Sequence, residues 1–376
     1  MVACTDDSAS DAPVAEVPAT TPATWTVDSI PIWSLPDESH GSEYLFHLAR
    51  GVRRLSNGTV VLINAGTPEL RAFAQNGQLL WRIGAAGDGP GDFRSPRWIE
   101  PLPGDTLMVE DPQLYRLSFF NAAGELVRTE SLTDDLGCGT LYPGLSAGLM
   151  VAATCGSWQT REPGLHRRDR TLTLVSPSLS KGWKRLAKVL GEDMVVRPNQ
   201  NYTFPAFGLG GVVAARDTLI FYGTGEQFAV EVYAVSGRKL RTIGLARARE
   251  PVTEELKAEW HAVQARRLRA FILQRGGTPG IEEGSRVREP VFKDSVPAFG
   301  EFRVDPDLNL WIGEYVLTGR QPVRWTVLSA EGRWLAEVTV PERFRIWEVG
   351  RDYLLGVWRD EDDVERIHMY RLRRQP

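Results

Sequence analysis

A turn followed by a β-rich run recurs six times along this chain, and no other feature narrows the fold as much. The copies read Asn57-Gly58-Thr59-Val60-Val61-Leu62, Gly104-Asp105-Thr106-Leu107-Met108-Val109, Gly148-Leu149-Met150-Val151, Arg216-Asp217-Thr218-Leu219-Ile220-Phe221, Asp307-Leu308-Asn309-Leu310-Trp311-Ile312 and Gly350-Arg351-Asp352-Tyr353-Leu354-Leu355. A second turn usually follows about 20 residues later, at Asn76-Gly77, Ala123-Gly124, Ser236-Gly237 and Glu331-Gly332. Alternating runs flank it, such as Leu70-Arg71-Ala72-Phe73 before and Gln78-Leu79-Leu80-Trp81 after. Asn-Gly between two such runs is a strong hairpin signal, because both residues tolerate positive φ.

The unit is therefore turn, strand, loop, strand, tight turn, strand, repeating about every 45 residues, which is the period of a four-stranded blade. The predicted fold is all-β: a six-bladed β-propeller over residues 24–376. Copies three and four are stretched, and the last copy lacks an outer strand. Thr24-Trp25-Thr26-Val27 through Trp33 can supply it from the N-terminal side, leaving no long open edge.

One segment breaks the β pattern. From Pro251 to about Leu273 the residues favour helix, with Leu256, Trp260, Val263, Phe271 and Ile272 on one broad face. Thr253 is the expected N-cap. Glu254, Glu255 and Glu259 lie early and Arg266, Arg267, Arg269 and Arg275 late, an order that complements the helix dipole. This predicts one helical insertion, about 251–275, between blades four and five. It is read either as a lid on its own propeller or as a docking element, with Trp260, Arg266, Arg267 and Arg269 as partner-docking candidates.

The linker Gly84-Ala85-Ala86-Gly87-Asp88-Gly89-Pro90-Gly91-Asp92-Phe93-Arg94-Ser95-Pro96 resembles the blade-to-blade connection of six-bladed propellers of the NHL and TolB-like kind, common in bacterial secreted lipoproteins. With the repeats, the resemblance covers roughly residues 24–376. It implies a fold more than an activity, because such folds host binders, enzymes and scaffolds alike.

The N-terminus carries a second resemblance. Met1-Val2-Ala3-Cys4 places small residues before a cysteine, and a polar stretch rich in Ala, Pro, Thr and Asp follows. This is similar to the lipobox of bacterial lipoproteins, although no basic and hydrophobic signal segment precedes it in this chain. The resemblance implies a lipid on Cys4 and a disordered acidic tether over residues 1–23. The tether holds Asp6, Asp7, Asp11 and Glu16 and no Lys or Arg. It accounts for the whole formal charge of −4, and the remainder carries 44 residues of each sign. A neutral body argues against nucleic-acid binding, which draws on a basic surface. No stretch reaches the roughly 18 apolar residues of a membrane helix. Cys138 and Cys155 are the expected disulfide pair in an oxidising compartment.

Catalytic motifs are weak. Gly144-Leu145-Ser146-Ala147-Gly148 matches a nucleophile elbow, but a strand rather than a helix follows, so Ser146 reads as a turn residue. Asp305-Pro306-Asp307-Leu308-Asn309 begins like a calcium loop, yet Leu310 and Val316 stand where glycine and glutamate are needed. The five histidines are scattered, and no metal site or cofactor is expected. A matched pair is more informative. Pro205-Ala206-Phe207-Gly208 and Pro297-Ala298-Phe299-Gly300 repeat four residues, and Ser95-Pro96-Arg97-Trp98 occupies the corresponding place. In this fold that place is the entry to the innermost strand. Arg97, Trp98, Phe207 and Phe299 are thus channel-mouth binding candidates, with packing between blades as the alternative. Arginine outnumbers lysine 38 to 6. Arg71, Arg116, Arg324 and Arg366 are expected to pair with Glu110, Asp111, Glu314 or Asp363.

The expected function is non-catalytic: a lipid-anchored protein of the periplasm or cell exterior, an extrinsic subunit of a membrane protein complex or a module for another periplasmic protein. The alternatives are a propeller-type lactonase or lyase, which the resemblance associates with His, Asp, Glu or Asn around a channel metal, and a small-ligand sensor at the channel mouth.

Overall fold

A computed structural model of the chain describes residues 22–36, 41, 44–132, 139–156, 162–178, 183–199, 201–274, 290–317 and 321–374. Two short strands come first, β1 (Ala23–Val27) and β2 (Trp33–Leu35). Antiparallel sheets then follow one another. The first is β3 (Ala49–Arg54), β4 (Val60–Asn64), β5 (Glu69–Phe73) and β6 (Leu79–Ile83). The next is β7 (Trp98–Leu102), β8 (Thr106–Asp111), β9 (Arg116–Phe120) and β10 (Leu126–Ser131). A five-stranded sheet holds β11 (Thr140–Tyr142), β12 (Met150–Cys155), β13 (Gly164–Val175), β14 (Trp183–Val196) and β15 (Tyr202–Thr203). After it come β16 (Val212–Arg216), β17 (Leu219–Gly223), β18 (Ala229–Ala234) and β19 (Lys239–Gly244). The helix α1 (Glu254–Gln274) interrupts the series. The last strands are β20 (Glu301–Val304), β21 (Leu310–Gly313), β22 (Arg324–Leu328), β23 (Trp334–Thr339), β24 (Phe344–Val349), β25 (Tyr353–Arg359) and β26 (Glu365–Arg374).

The six sequence turns each fall between the first and second strand of a meander. The second set falls between the third and fourth. Gly77 shows why glycine is needed there: its φ is +85°, its N–H donates to Ala74 O at 2.9 Å, and the ladder slips by one residue at Ala72/Phe73. That is a bulged turn, which requires a left-handed residue. Gly124, Gly237 and Gly332 repeat the same hydrogen bond.

Burial follows the position of each strand in its sheet. The second strand is a continuous apolar run such as Val60-Val61-Leu62-Ile63, because neighbouring sheets cover both its faces. The outer strand β6 is only half-buried and alternates. Apolar layers then join sheet to sheet. Val61, Ile63 and Leu70 pack on Ile99, Leu107 and Phe120, and the linker residue Phe93 is fully buried among them. Trp98, Met108 and Phe119 meet Leu141, Met150 and Val175. Val151 and Leu172 meet Val213, Ile220 and Tyr222. Phe221, Val230 and Ile243 meet Phe302, Leu310 and Leu328. Trp311 and Trp325 meet Phe344, Leu354 and Tyr370. Finally Leu355, Val357 and Ile367 meet Ala49, Val52, Leu62 and Phe73, so the last sheet packs on the first. The arrangement is a β-propeller.

The N-terminal strands hold two sheets together. β1 runs parallel to β23 (Ala23↔Ala336) and antiparallel to β26 (Trp25↔Arg374), and β2 continues along β26 (Trp33↔Met369). Trp25 sits 5.9 Å from Trp311, with the Arg374 guanidinium 4.7 Å above its ring. Among the four strand-start arginines, Arg324 meets its expected partner Glu314 at 2.8 Å. Arg71 pairs instead with Glu69, and Arg116 donates to the carbonyls of Asp88, Gly89 and Asp92, clamping the linker.

Deleting residues 24–34 removes strand pairing on both sides and the buried Trp25, a side chain worth on the order of 2 kcal/mol or more. A cooperative loss of the folded ring is expected in thermal melts. A wild-type melting transition in the deletion variant contradicts this role.

Candidate functional site

The first strand of each meander has one neighbour and one free edge, and these free edges face a shared cavity of about 630 Å³. Residues from β3, β7, β11, β16, β20 and β24 all line it, so it is the central channel. A free edge leaves carbonyls without ladder partners. Arginines supply them. Arg53 Nη1 donates to Trp347 O at 2.8 Å, Arg303 Nε to Ile346 O at 3.0 Å, and Arg216 Nη1 to Val304 O at 3.2 Å. Each bond crosses from one first strand to another, so the guanidiniums lace the channel wall.

Charged groups in the wall are unequal in number. Arg53, Arg54, Arg97, Arg216, Arg303 and Arg345 line the cavity against Glu100, Glu301 and Glu348. The carboxylates are engaged: Glu301 with Arg303 at 3.0 Å, Glu100 with Arg53 at 3.8 Å, and Glu348 with the Arg54 N–H and the Tyr353 hydroxyl. Enclosure by protein pushes Glu100 above the usual carboxylate range, against the pull of Arg53. No group of three or more His, Cys, Asp or Glu suited to a metal occurs among the described residues. An arginine-rich wall with paired carboxylates does not suit a divalent cation.

A second cavity of about 280 Å³ adjoins the first and shares Arg97, Arg345 and Trp347 with it. Its wall adds Arg50, Arg343 and Arg359, and no carboxylate lines it. Arg359 is held by Glu365 at 2.6 Å, and Arg97 lies 3.5 Å from Glu110. Enclosure holds Arg345 below the ordinary arginine range, and the Arg303, Arg359 and Arg50 charges add to this. The Arg345 side chain is nonetheless exposed at the cavity. Burial likewise lowers Arg50, with Glu365 opposing and Arg97 adding to the effect.

Of the four mouth candidates, Arg97 lines the channel just ahead of β7, while Trp98 borders it but is 6% exposed and packs with Met108 and Phe119 in the layer between sheets. Phe207 and Phe299 require correction. Both precede a first strand, but their rings point into apolar layers rather than the opening. Phe299 is 1% exposed and wedged against Phe228 and Phe302. Phe207 is 2% exposed beneath α1, beside Val263, Val296 and Leu317. Packing between elements outweighs display here, because a fully buried phenylalanine is worth roughly 2–3 kcal/mol.

The helix is capped as expected, with Leu256 N donating to Thr253 Oγ1 at 3.3 Å. It lies on its own fold through Val263, Leu256 and Trp260. Trp260 packs edge-on to Phe292 at 5.6 Å, so it anchors the helix and is not a free docking residue. Arg266, Arg267 and Arg269 are exposed. Ser146 is a turn residue, bonded to Asp217 through its N–H at 2.9 Å and through its hydroxyl. Asp305 is fully buried and accepts bonds from Asp307 N, Asn309 and Trp311, so it staples a turn. Cys155 is disulfide-bonded. Cys4 and Cys138 lie outside the described residues.

No protein-family model matches the chain, and no curated protein does. Among solved structures, a member of the DUF4221 family from Bacteroides vulgatus superposes with a TM-score of 0.51 at 13% identity, over 94% of this chain and 100% of that one. A protein of Bacteroides fragilis described as exported gives 0.48 at 11% identity, over 94% and 96%. A gluconolactonase from Xanthomonas campestris gives 0.45 at 11%, over 88% and 87%. At such identities the likeness concerns fold alone.

Glu110, 2% exposed, generates a pH prediction. Burial raises its carboxyl to about 7, against the pull of Arg97. A carboxyl raised in the fold favours the folded state below its unfolded value, and that contribution is lost as pH rises through 7. Glu110→Gln should therefore stabilise the protein at pH 8.5 by on the order of 1–3 kcal/mol, with the gain vanishing near pH 4.5. Denaturant melts at both pH values check this. A variant less stable than wild type at pH 8.5 would mark the Arg97 pair as a net favourable contact instead.

Proposed function

We propose that this chain is a six-bladed propeller of the NHL and TolB-like kind, anchored outside the cytoplasmic membrane through Cys4, and that it works by binding a small ligand in its central channel rather than by catalysis. The observation that carries the reading is the channel wall: all the first strands contribute to one cavity, and its charged groups are arginines in excess over paired carboxylates. The six inter-sheet layers support the blade count. The disulfide at Cys155, expected to involve Cys138, supports an oxidising compartment. Among the described residues the wall offers no group of three His, Cys, Asp or Glu side chains that could hold a metal ion.

A second reading, docking to a membrane complex as an extrinsic subunit, is supported by α1. The helix is fixed by one face and displays Arg266, Arg267 and Arg269 on another. Reversing those three charges should release a co-purifying membrane complex while the melting temperature holds; retention of the complex counts against the helix. Deleting the helix is a poorer test, because it uncovers Phe207 and Val296.

Native mass spectrometry of the full chain released from membranes by detergent tests the main reading. One small-molecule adduct per chain is expected, with no stoichiometric divalent ion by elemental analysis. A stoichiometric metal accompanied by lactone hydrolysis overturns the reading in favour of an enzyme. Recovery in the soluble fraction alone overturns the anchor.

A further inference from the structure

Among the channel arginines, three of the five in the smaller cavity differ in what satisfies them. Arg53, Arg216 and Arg303 reach carbonyls of neighbouring strands. Arg50 and Arg343 make no side-chain hydrogen bond or ion pair among the described residues, and Arg345 has only the face of Trp347, 4.8 Å from its ring centre. All three line one cavity of about 280 Å³ with Gln321 as a further polar group. The adjoining carboxylates, Glu365 and Glu110, are already bound to Arg359 and Arg97. Arg343 holds a left-handed backbone, φ +62°, and so does Leu48 across the cavity wall, φ +56°. A fold keeps such conformations at non-glycine residues only where the surroundings impose them. Guanidiniums that line one half-open cavity and find no acceptor among the described residues leave forked N–H donors free for a negatively charged ligand.

We propose that this cavity is a site for a small oxyanion carrying two or more negative charges, gripped by Arg50, Arg343 and Arg345. The inference deepens the channel-binding reading and rests on it. Guanidinium forks match the paired oxygens of carboxylate and phosphate, and several forks around one centre favour a multiply charged anion over a single carboxylate. The volume lies at the small end of ligand sites, which run roughly 300–1,000 Å³. A compact polycarboxylate or a phosphate fits this chemistry, and an extended polyanion does not. The Trp347 ring and the shared Arg97 lead from this cavity into the larger one, so an organic body attached to the anion would lie along the channel.

Isothermal titration of the full chain with citrate, inorganic phosphate and acetate, at about 0.15 M sodium chloride, tests the site. Saturable binding of citrate or phosphate at one per chain is expected, with acetate at least about tenfold weaker. Whichever of the two binds assigns the ligand to the carboxylate or the phosphate class. Arg50→Gln and Arg345→Gln should each weaken that binding by about tenfold or more, with melting temperatures at or above wild type. Arg343→Gln, at an exposed residue without a partner, serves if either of those fails to fold. Binding of neither anion up to about 10 mM overturns the proposal, as does an affinity unchanged in the variants. Should an adduct persist in protein released from membranes while both anions fail, the subsite falls and the channel reading stands. Should neither adduct nor anion bind, both fall.

Discussion

The pairing of β1 with two different sheets fixes the boundary condition for everything else. A propeller built from consecutive meanders leaves its last sheet short of an outer strand and its first and last sheets joined only by side chains. Here Ala23–Val27 lies parallel to β23 and antiparallel to β26, and Trp33–Leu35 extends the second pairing. Arg373 grips Asp28 with two hydrogen bonds of 2.8 and 2.9 Å, and Arg374 ties the end of β26 to the buried Asp305. The seam on the other side of the last sheet is apolar, with a polar bond from Ala49 N to Glu365 at 2.6 Å. Closure of both seams holds the first strands around a common axis, and the channel exists only as a consequence.

The channel inherits a problem from that geometry. Its wall consists of sheet edges, with carbonyls that no strand can reach. Arginine resolves this, since its long side chain and forked donors span from one first strand to the next. The same residues give the cavity its charge. Several are balanced by carbonyls or carboxylates; Arg54 lies over the Tyr353 ring, and Arg50, Arg343 and Arg345 have no such acceptor among the described residues. A structural requirement and a binding property thus draw on one residue type.

Much of the fold was legible because turns are local chemistry. Gly58, Gly77, Gly104, Gly124, Gly237 and Gly332 all have φ between +80° and +95°, and no other residue type takes that region freely. The apolar runs after the turns were legible as buried second strands. The first strands were not. Ala49-Arg50-Gly51-Val52-Arg53-Arg54 shows no clean alternation, because its ladder with β4 slips between Arg50 and Arg53 while its free edge faces the channel. The signal available was the recurrence of arginine just ahead of a turn, at Arg53, Arg54, Arg216 and Arg303. Phe207 and Phe299 misled for the opposite reason. Their position beside a first strand was readable, but the direction of a ring depends on where two sheets meet. Trp260 belongs to the same class, since nothing local announces Phe292 beneath it.

Anomalous diffraction from crystals of the full chain soaked in sodium selenate, a compact doubly charged oxyanion, places the anion by direct observation. A selenium peak within hydrogen-bond reach of both Arg50 and Arg345, inside the ring that β1 closes, is the expected result. Selenate peaks confined to exposed arginines such as those of α1, with that cavity holding water, contradict an arginine channel built to bind an anion.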